Sequence, residues 1–153
     1  MKVRRRARIA ALQALFEVDA TNHDPEVSLR GRLAETPLPP RGEAFCRSLV
    51  RGVLRHQESL DWVIQGIAQE WPIEQIAAVN RSILRLAVGE FVAGRTPFKV
   101  VIVEAIKLAR EFSTAESPRF INGVLDSVAK ELVGKDAESH QELQAETPAD
   151  ETS

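Results

Sequence analysis

The chain has 153 residues, enough to bury the core of one domain, and its 44% hydrophobic and 27% charged content is that of an ordinary globular protein. Its net charge of −2 joins a mildly basic stretch, residues 1–133 with 19 bases and 16 acids, to an acidic end, residues 134–153 with one base and six acids. No apolar run reaches the roughly eighteen residues of a membrane-spanning helix, and a single cysteine excludes a disulfide within the chain.

The opening, "MKVRRRARIAALQALF", predicts a helix from about Arg4 to Asp19, with Ala7, Ala11, Ala14, Leu15 and Val18 on one face. Basic residues ahead of an apolar stretch mimic an export signal. Here Gln13 interrupts the stretch, Glu17 and Asp19 follow it, and no small-residue cleavage site closes it, so a core helix of a cytoplasmic protein is expected. Asp24-Pro25 is a cap followed by a first-turn proline and starts a short helix to about Ala34. After the "TPLPP" linker, Pro40 opens a third helix carrying Phe45, Leu49, Val53 and Leu54. Cys46 sits in that stripe and reads as a small buried hydrophobe. A break near His56 leads to a further stripe, Leu60, Val63, Ile64 and Ile67, and Trp71-Pro72 ends the first half.

In the second half, Val79, Ile83, Leu86, Ala87 and Phe91 recur at helical spacing, with Gly94 as the stop and Pro97 as the first residue of the next helix. "KVVIV" alone favours a strand, but Ile102, Ala105, Ile106 and Ala109 carry a helical period through it. Ser117-Pro118 repeats the cap-plus-proline start, and Ile121, Val124, Leu125, Val128 and Leu132 form the last stripe. Asn122-Gly123 falls inside it and implies a close approach at Gly123. The pattern predicts an all-α, compact bundle of six to seven helices in two subdomains, about 1–70 and 72–133. Residues 134–153, polar and without an apolar repeat, read as a disordered acidic tail.

Motifs for an enzyme are missing: no G-x-S-x-G, no G-x-x-x-x-G-K-[ST], no H-E-x-x-H and no C-x-x-C. Three scattered histidines give no metal-ligand spacing, so neither catalytic residues, metal nor cofactor is expected. Glu104 and Glu111, beside Lys107 and Arg110, read as surface charge pairs. The basic opening is the candidate site. Arg4, Arg5, Arg6 and Arg8, with Lys2, surround the first turn of a helix whose dipole disfavours cations there. A polyanion relieves both that penalty and their mutual repulsion, and guanidinium groups pair with phosphate and stack on bases. Phe112 and Phe120 flank the polar loop "STAESPR", each off its stripe, with Arg119 adjacent. With Phe16 they are candidate platforms for unpaired bases.

Four stretches, "RRRARIAALQALF", "NRSILRLAVGEF", "KVVIVEAIKLAREFS" and "SPRFINGVLD", resemble the NusB family of bacterial transcription antitermination factors. Order and spacing match from about Arg4 to Leu132. The resemblance implies a non-catalytic, all-helical protein that binds single-stranded boxA-type leader RNA with the ribosomal protein NusE, within the RNA polymerase antitermination complex that supports rRNA operon transcription. It implies RNA contacts from Lys2, Arg4, Arg5, Arg6, Arg8, Phe16, Phe112, Arg119 and Phe120, and partner contacts from Glu74, Asn80 and Glu116. Asn80 stands where the family usually has an acid, Val103 where it has asparagine, Gly89 where it has tyrosine, and Phe16 where it often has tyrosine. The same fold resembles a module of rRNA cytosine methyltransferases, but no cofactor-binding βαβ pattern occurs in these 153 residues. A protein-only helical scaffold, with the basic opening idle, is the third reading.

Overall fold

The computed structural model describes residues 2–70 and 72–146, with side chains as far as residue 134. Six α-helices follow one another: α1 (Val3–Thr21), α2 (Pro25–Glu35), α3 (Pro40–Ile67), α4 (Ala78–Ala93), α5 (Phe98–Phe112) and α6 (Ser117–Glu146), with a 3-10 turn at Ile73–Gln75 before α4. No strand occurs among the described residues, so "KVVIV" is helical as its longer period requires.

Local chemistry sets the helix ends. Asp24 Oδ1 accepts from the amides of Glu26 (2.8 Å) and Val27 (3.4 Å), which caps α2, and Pro25 and Pro40 open α2 and α3. Gly94 ends α4 in the left-handed region (φ 69°), where a Cβ is unfavourable. Pro97 stands just outside α5, one residue earlier than the pattern put it. His56 leaves helical geometry (φ −114°, ψ 16°) and kinks α3, as the break in its stripe implied.

α4 is the central helix. Ile83, Leu84, Leu86 and Val88 are buried on successive sides of it, because α1, α3, α5 and α6 surround it. Burying each of these side chains contributes about 1.5–3 kcal/mol. α1 runs antiparallel to α4: Arg8 meets Glu90 near one end and Asp19 meets Arg81 near the other. α5 is antiparallel to α4 as well, with Phe98 against Phe91 and Ser113 against Asn80. The last turns of α1 and α5 therefore share one end of the bundle, where α4 begins.

The close approach is at Gly42, not Gly123. A Cβ on Gly42 would lie 2.5 Å from Val3 Cγ1 and 3.3 Å from Leu38 Cβ, so the start of α3 seats the start of α1 there. Gly123 has open space around it, and α6 passes through Asn122-Gly123 without a turn. α6 also runs on to Glu146, into the segment that the sequence set apart as a tail. Trp71, where the two halves were expected to meet, and residues 147–153 lie outside the described residues.

Because Gly123 has helical backbone and no neighbour to clash with, Gly123→Ala should stabilise the protein by about 0.5–1 kcal/mol. Urea unfolding checks this. A midpoint that moves down would restore a close approach at that position.

Candidate nucleic-acid interface

The five basic residues of the opening do not form one exposed cluster. α1 begins at Val3, so Arg4, Arg5, Arg6 and Arg8 are all held on a formed helix rather than on a loose arm. Arg8 is buried, with 4% of its surface exposed. Its Nε donates to Glu90 Oε2 at 2.9 Å and its Nη2 to Glu90 Oε1 at 2.8 Å, a two-pronged pair that closes α1 onto α4. Arg8 therefore leaves the phosphate-facing set: its charge is spent on a carboxylate inside the protein. Arg5, half-buried, donates to Glu104 on α5 at 3.2 and 3.4 Å. Partial burial pushes the Glu104 carboxyl up, but the hydrogen bond and charge of Arg5, with Lys107 and Arg8, outweigh it and hold the group below its ordinary value. Glu104 is thus a cross-helix tether as well as the partner of Lys107 on its own helix.

Lys2, Arg4 and Arg6 are left facing outward. Lys2 and Arg4 are exposed, and no carboxylate pairs with either among the described residues. The Arg4 guanidinium lies 4.9 Å from the centre of the Phe45 ring, and that of Arg8 5.2 Å from the same ring. Arg6 donates to the Pro37 carbonyl at 2.7 Å, which spends one of its five N–H groups and anchors the linker before α3.

At the other end of the bundle, the loop between α5 and α6 is held by hydroxyls. Asn80 is buried, its Nδ2 donating to Ser117 Oγ at 3.0 Å and its Oδ1 accepting from Ser113 Oγ at 2.7 Å. Thr114 Oγ1 lies 2.8 Å from the same Ser117 oxygen. Asn80 accordingly corrects what the resemblance implied: its side chain is committed to this loop and leaves little surface for a partner. An acid there would lack the Nδ2 donor that Ser117 receives. Phe112 and Phe120 are half-buried at the edge of the core and Phe16, 38% exposed, is on the last half of α1 at this same end of the bundle. Glu116 is exposed on the loop, Arg119 is exposed in the first turn of α6, and Glu74 is exposed on the 3-10 turn. Arg110 and Arg119 both line a shallow depression of about 470 Å³ with Ile106, Pro118 and Asn122.

The 3-10 turn is fixed from below. Arg81 donates to the carbonyls of Ile73 (3.2 Å) and Ile76 (3.0 Å) and, through Nη2, to Asp19 on α1 at 2.6 Å. Arg85 joins Asp61 on α3 (2.7 and 2.8 Å) to Asp19. Cys46 has no exposed surface, and burial pushes its thiol up to about 11, so it stays protonated and inert.

Sequence reasoning missed Glu90, Phe45 and Arg110. Glu90 was detectable as a lone acid inside the apolar run from Leu86 to Ala93, a position that burial allows only with a partner. Which cation reaches it, 82 residues away, is a matter of tertiary packing.

An all-helical bundle with a fixed cationic helix start, and with aromatic and basic side chains around the loop between α5 and α6, defines a class of helical proteins that present charge and ring surface. Comparison with known proteins narrows that class. The NusB family model matches residues 5–130. The transcription antitermination protein NusB of Roseiflexus sp. (strain RS-1) is 45% identical over 129 residues, covering 82% of this chain and 91% of that one. NusB of T. maritima superposes with a TM-score of 0.79 at 34% identity, covering 84% of this chain and 91% of that one. A NusB crystallised with NusE and double-stranded RNA superposes with a TM-score of 0.77 at 25% identity, covering 86% and 98%. The chain belongs to the NusB family of non-catalytic transcription antitermination proteins.

Removing one member of the buried pair strands the other. Glu90→Ala should cost about 3–5 kcal/mol, whereas Arg8→Met with Glu90→Leu should fall much closer to the parent. Chemical denaturation of the three proteins checks this. Equal losses for the single and double variants would mean that the pair is not what couples α1 to α4.

Proposed function

We propose that this chain binds single-stranded leader RNA of the boxA type, together with a NusE-type ribosomal protein, within the RNA polymerase complex that reads through ribosomal-RNA operons. The observation that carries this reading is the outward set Lys2, Arg4 and Arg6, left without carboxylate partners on a helix whose other two arginines are tied down. That a related NusB has been crystallised with NusE and double-stranded RNA supports the pairing of an RNA with that protein partner. Lys2, Arg4, Arg6 and Arg119 contact phosphates, which gives affinity and fast association. Phe112, Phe120 and Phe16 offer ring faces or edges to unpaired bases, where RNA sequence is read. Arg5 is a positioning residue with a residual share in phosphate contact, since its side chain is a third exposed. The exposed acids Glu74 and Glu116 meet the protein partner.

Neutralising four phosphates gives a slope of log K against log salt of about −3, at roughly 0.7 per contact for single strands. In a filter-binding titration, Arg4→Gln with Arg6→Gln should weaken binding to any RNA and flatten the slope by about 1.4. Phe120→Ala should weaken binding while keeping the parent slope. Parent and arginine variant with the same slope would overturn this assignment of roles.

A further inference from the structure

A second basic surface adjoins the α1 start on its α3 side. A cleft of about 530 Å³ opens between α3, on both sides of the His56 kink, and the C-terminal half of α4. This is within the range of small-ligand sites. Leu49, Leu60 and Leu86 form its apolar floor, and Arg51, Arg55 and Arg95 line it. All three arginines are exposed, and none has a carboxylate partner among the described residues. Among the described residues Glu90 is the only acid lining the cleft, and both its oxygens are already taken by Arg8. The wall is therefore net positive with no counter-charge of its own.

We propose that this cleft is a nucleotide subsite that takes one base and its phosphate from an RNA strand continuing past the start of α1. The proposal rests on the RNA-binding reading above and extends it to a face that reading does not use. Its chemistry is that of a nucleotide: a flat, largely apolar base lies on the leucine floor while guanidinium groups pair with the phosphate. The connection to the first surface is physical. Phe45 forms part of the cleft wall, and the guanidinium of outward-facing Arg4 lies on its ring. A strand held by Lys2 and Arg4 needs only to pass that ring to enter the cleft. An apolar peptide would leave three arginines unpaired, so charge complementarity favours the polyanion.

Gly89 keeps the floor open. A Cβ there would meet Val53 Cγ2 at 3.6 Å and Leu60 Cδ1 at 4.0 Å, ordinary contacts, so a larger side chain is tolerated at its base and its remaining atoms occupy the cleft. Gly89→Leu is thus a plugging variant, and Arg51→Gln with Arg55→Gln a charge-removing one on exposed positions. Both are compared with the parent for a fluorescein-labelled 20-nucleotide single-stranded leader RNA by anisotropy, with circular-dichroism melts to confirm folding. Each should weaken binding about tenfold, and the arginine pair should also flatten the salt slope by about 1.4. Parent affinity for both cleft variants, with Arg4→Gln/Arg6→Gln still impaired, overturns the cleft and leaves the α1 surface standing. Loss of RNA binding by the parent itself sinks both readings. AMP that saturates the cleft and is not displaced by the 20-mer makes it a free-nucleotide site and overturns the proposal as well.

Discussion

The constraint on which the rest depends is the buried pair of Arg8 and Glu90. Two charges taken out of water are costly, and each is tolerated only because the other is there, with two hydrogen bonds of 2.8 and 2.9 Å between them. Such a pair adds little net stability over a well-packed apolar substitute, but it makes wrong arrangements expensive. α1 cannot rotate or slide along α4 without abandoning a buried carboxylate. The Phe45 ring, shared by Arg4 and Arg8, adds α3 to the same junction.

The pair has a counterpart at the far end of α1. Asp19 accepts from Arg81 and Arg85, and Arg85 in turn holds Asp61 on α3. Burial disfavours the charge of Arg85, but the hydrogen bond and charge of Asp61, together with Asp19, more than compensate. α1 is thus clamped near both ends to the central helix, and Arg5 to Glu104 fixes it sideways to α5. The result is a rigid rail. Its outward cations are displayed at fixed spacing, and little ordering entropy remains to be lost when a strand binds. The loop between α5 and α6 is prepared in the same way, by Asn80 and the serines.

The fold was legible because the evidence for it is local. Asp24-Pro25, Pro40 and Gly94 mark helix ends through chemistry confined to a few residues, and the break at His56 appears as a shift in a stripe. Asn122-Gly123 was rightly read as helical, because the stripe around it commits the backbone; the close approach expected at Gly123 was wrong, because a helical glycine off the packed stripe faces open space. The site was legible in composition but not in detail. A sequence lists cations, but it does not say which of them meet acids brought in from 82 or 99 residues away. That is why Arg8 looked like a phosphate ligand and Glu104 like ordinary surface charge. Asn80 was carried over as a contact by the resemblance, and nothing local showed that its hydroxyl partners lie 33 and 37 residues on.

Amide hydrogen exchange across residues 6–12 of the free protein tests the central claim most directly. If Arg8 and Glu90 lock α1 to α4, those amides exchange only when the whole protein unfolds, at the same free energy as the amides of residues 83–88 in α4. Exchange at the rate of a fraying terminus, with α4 still protected, would show a helix start that is free in solution, and the account of a fixed cationic rail would be wrong.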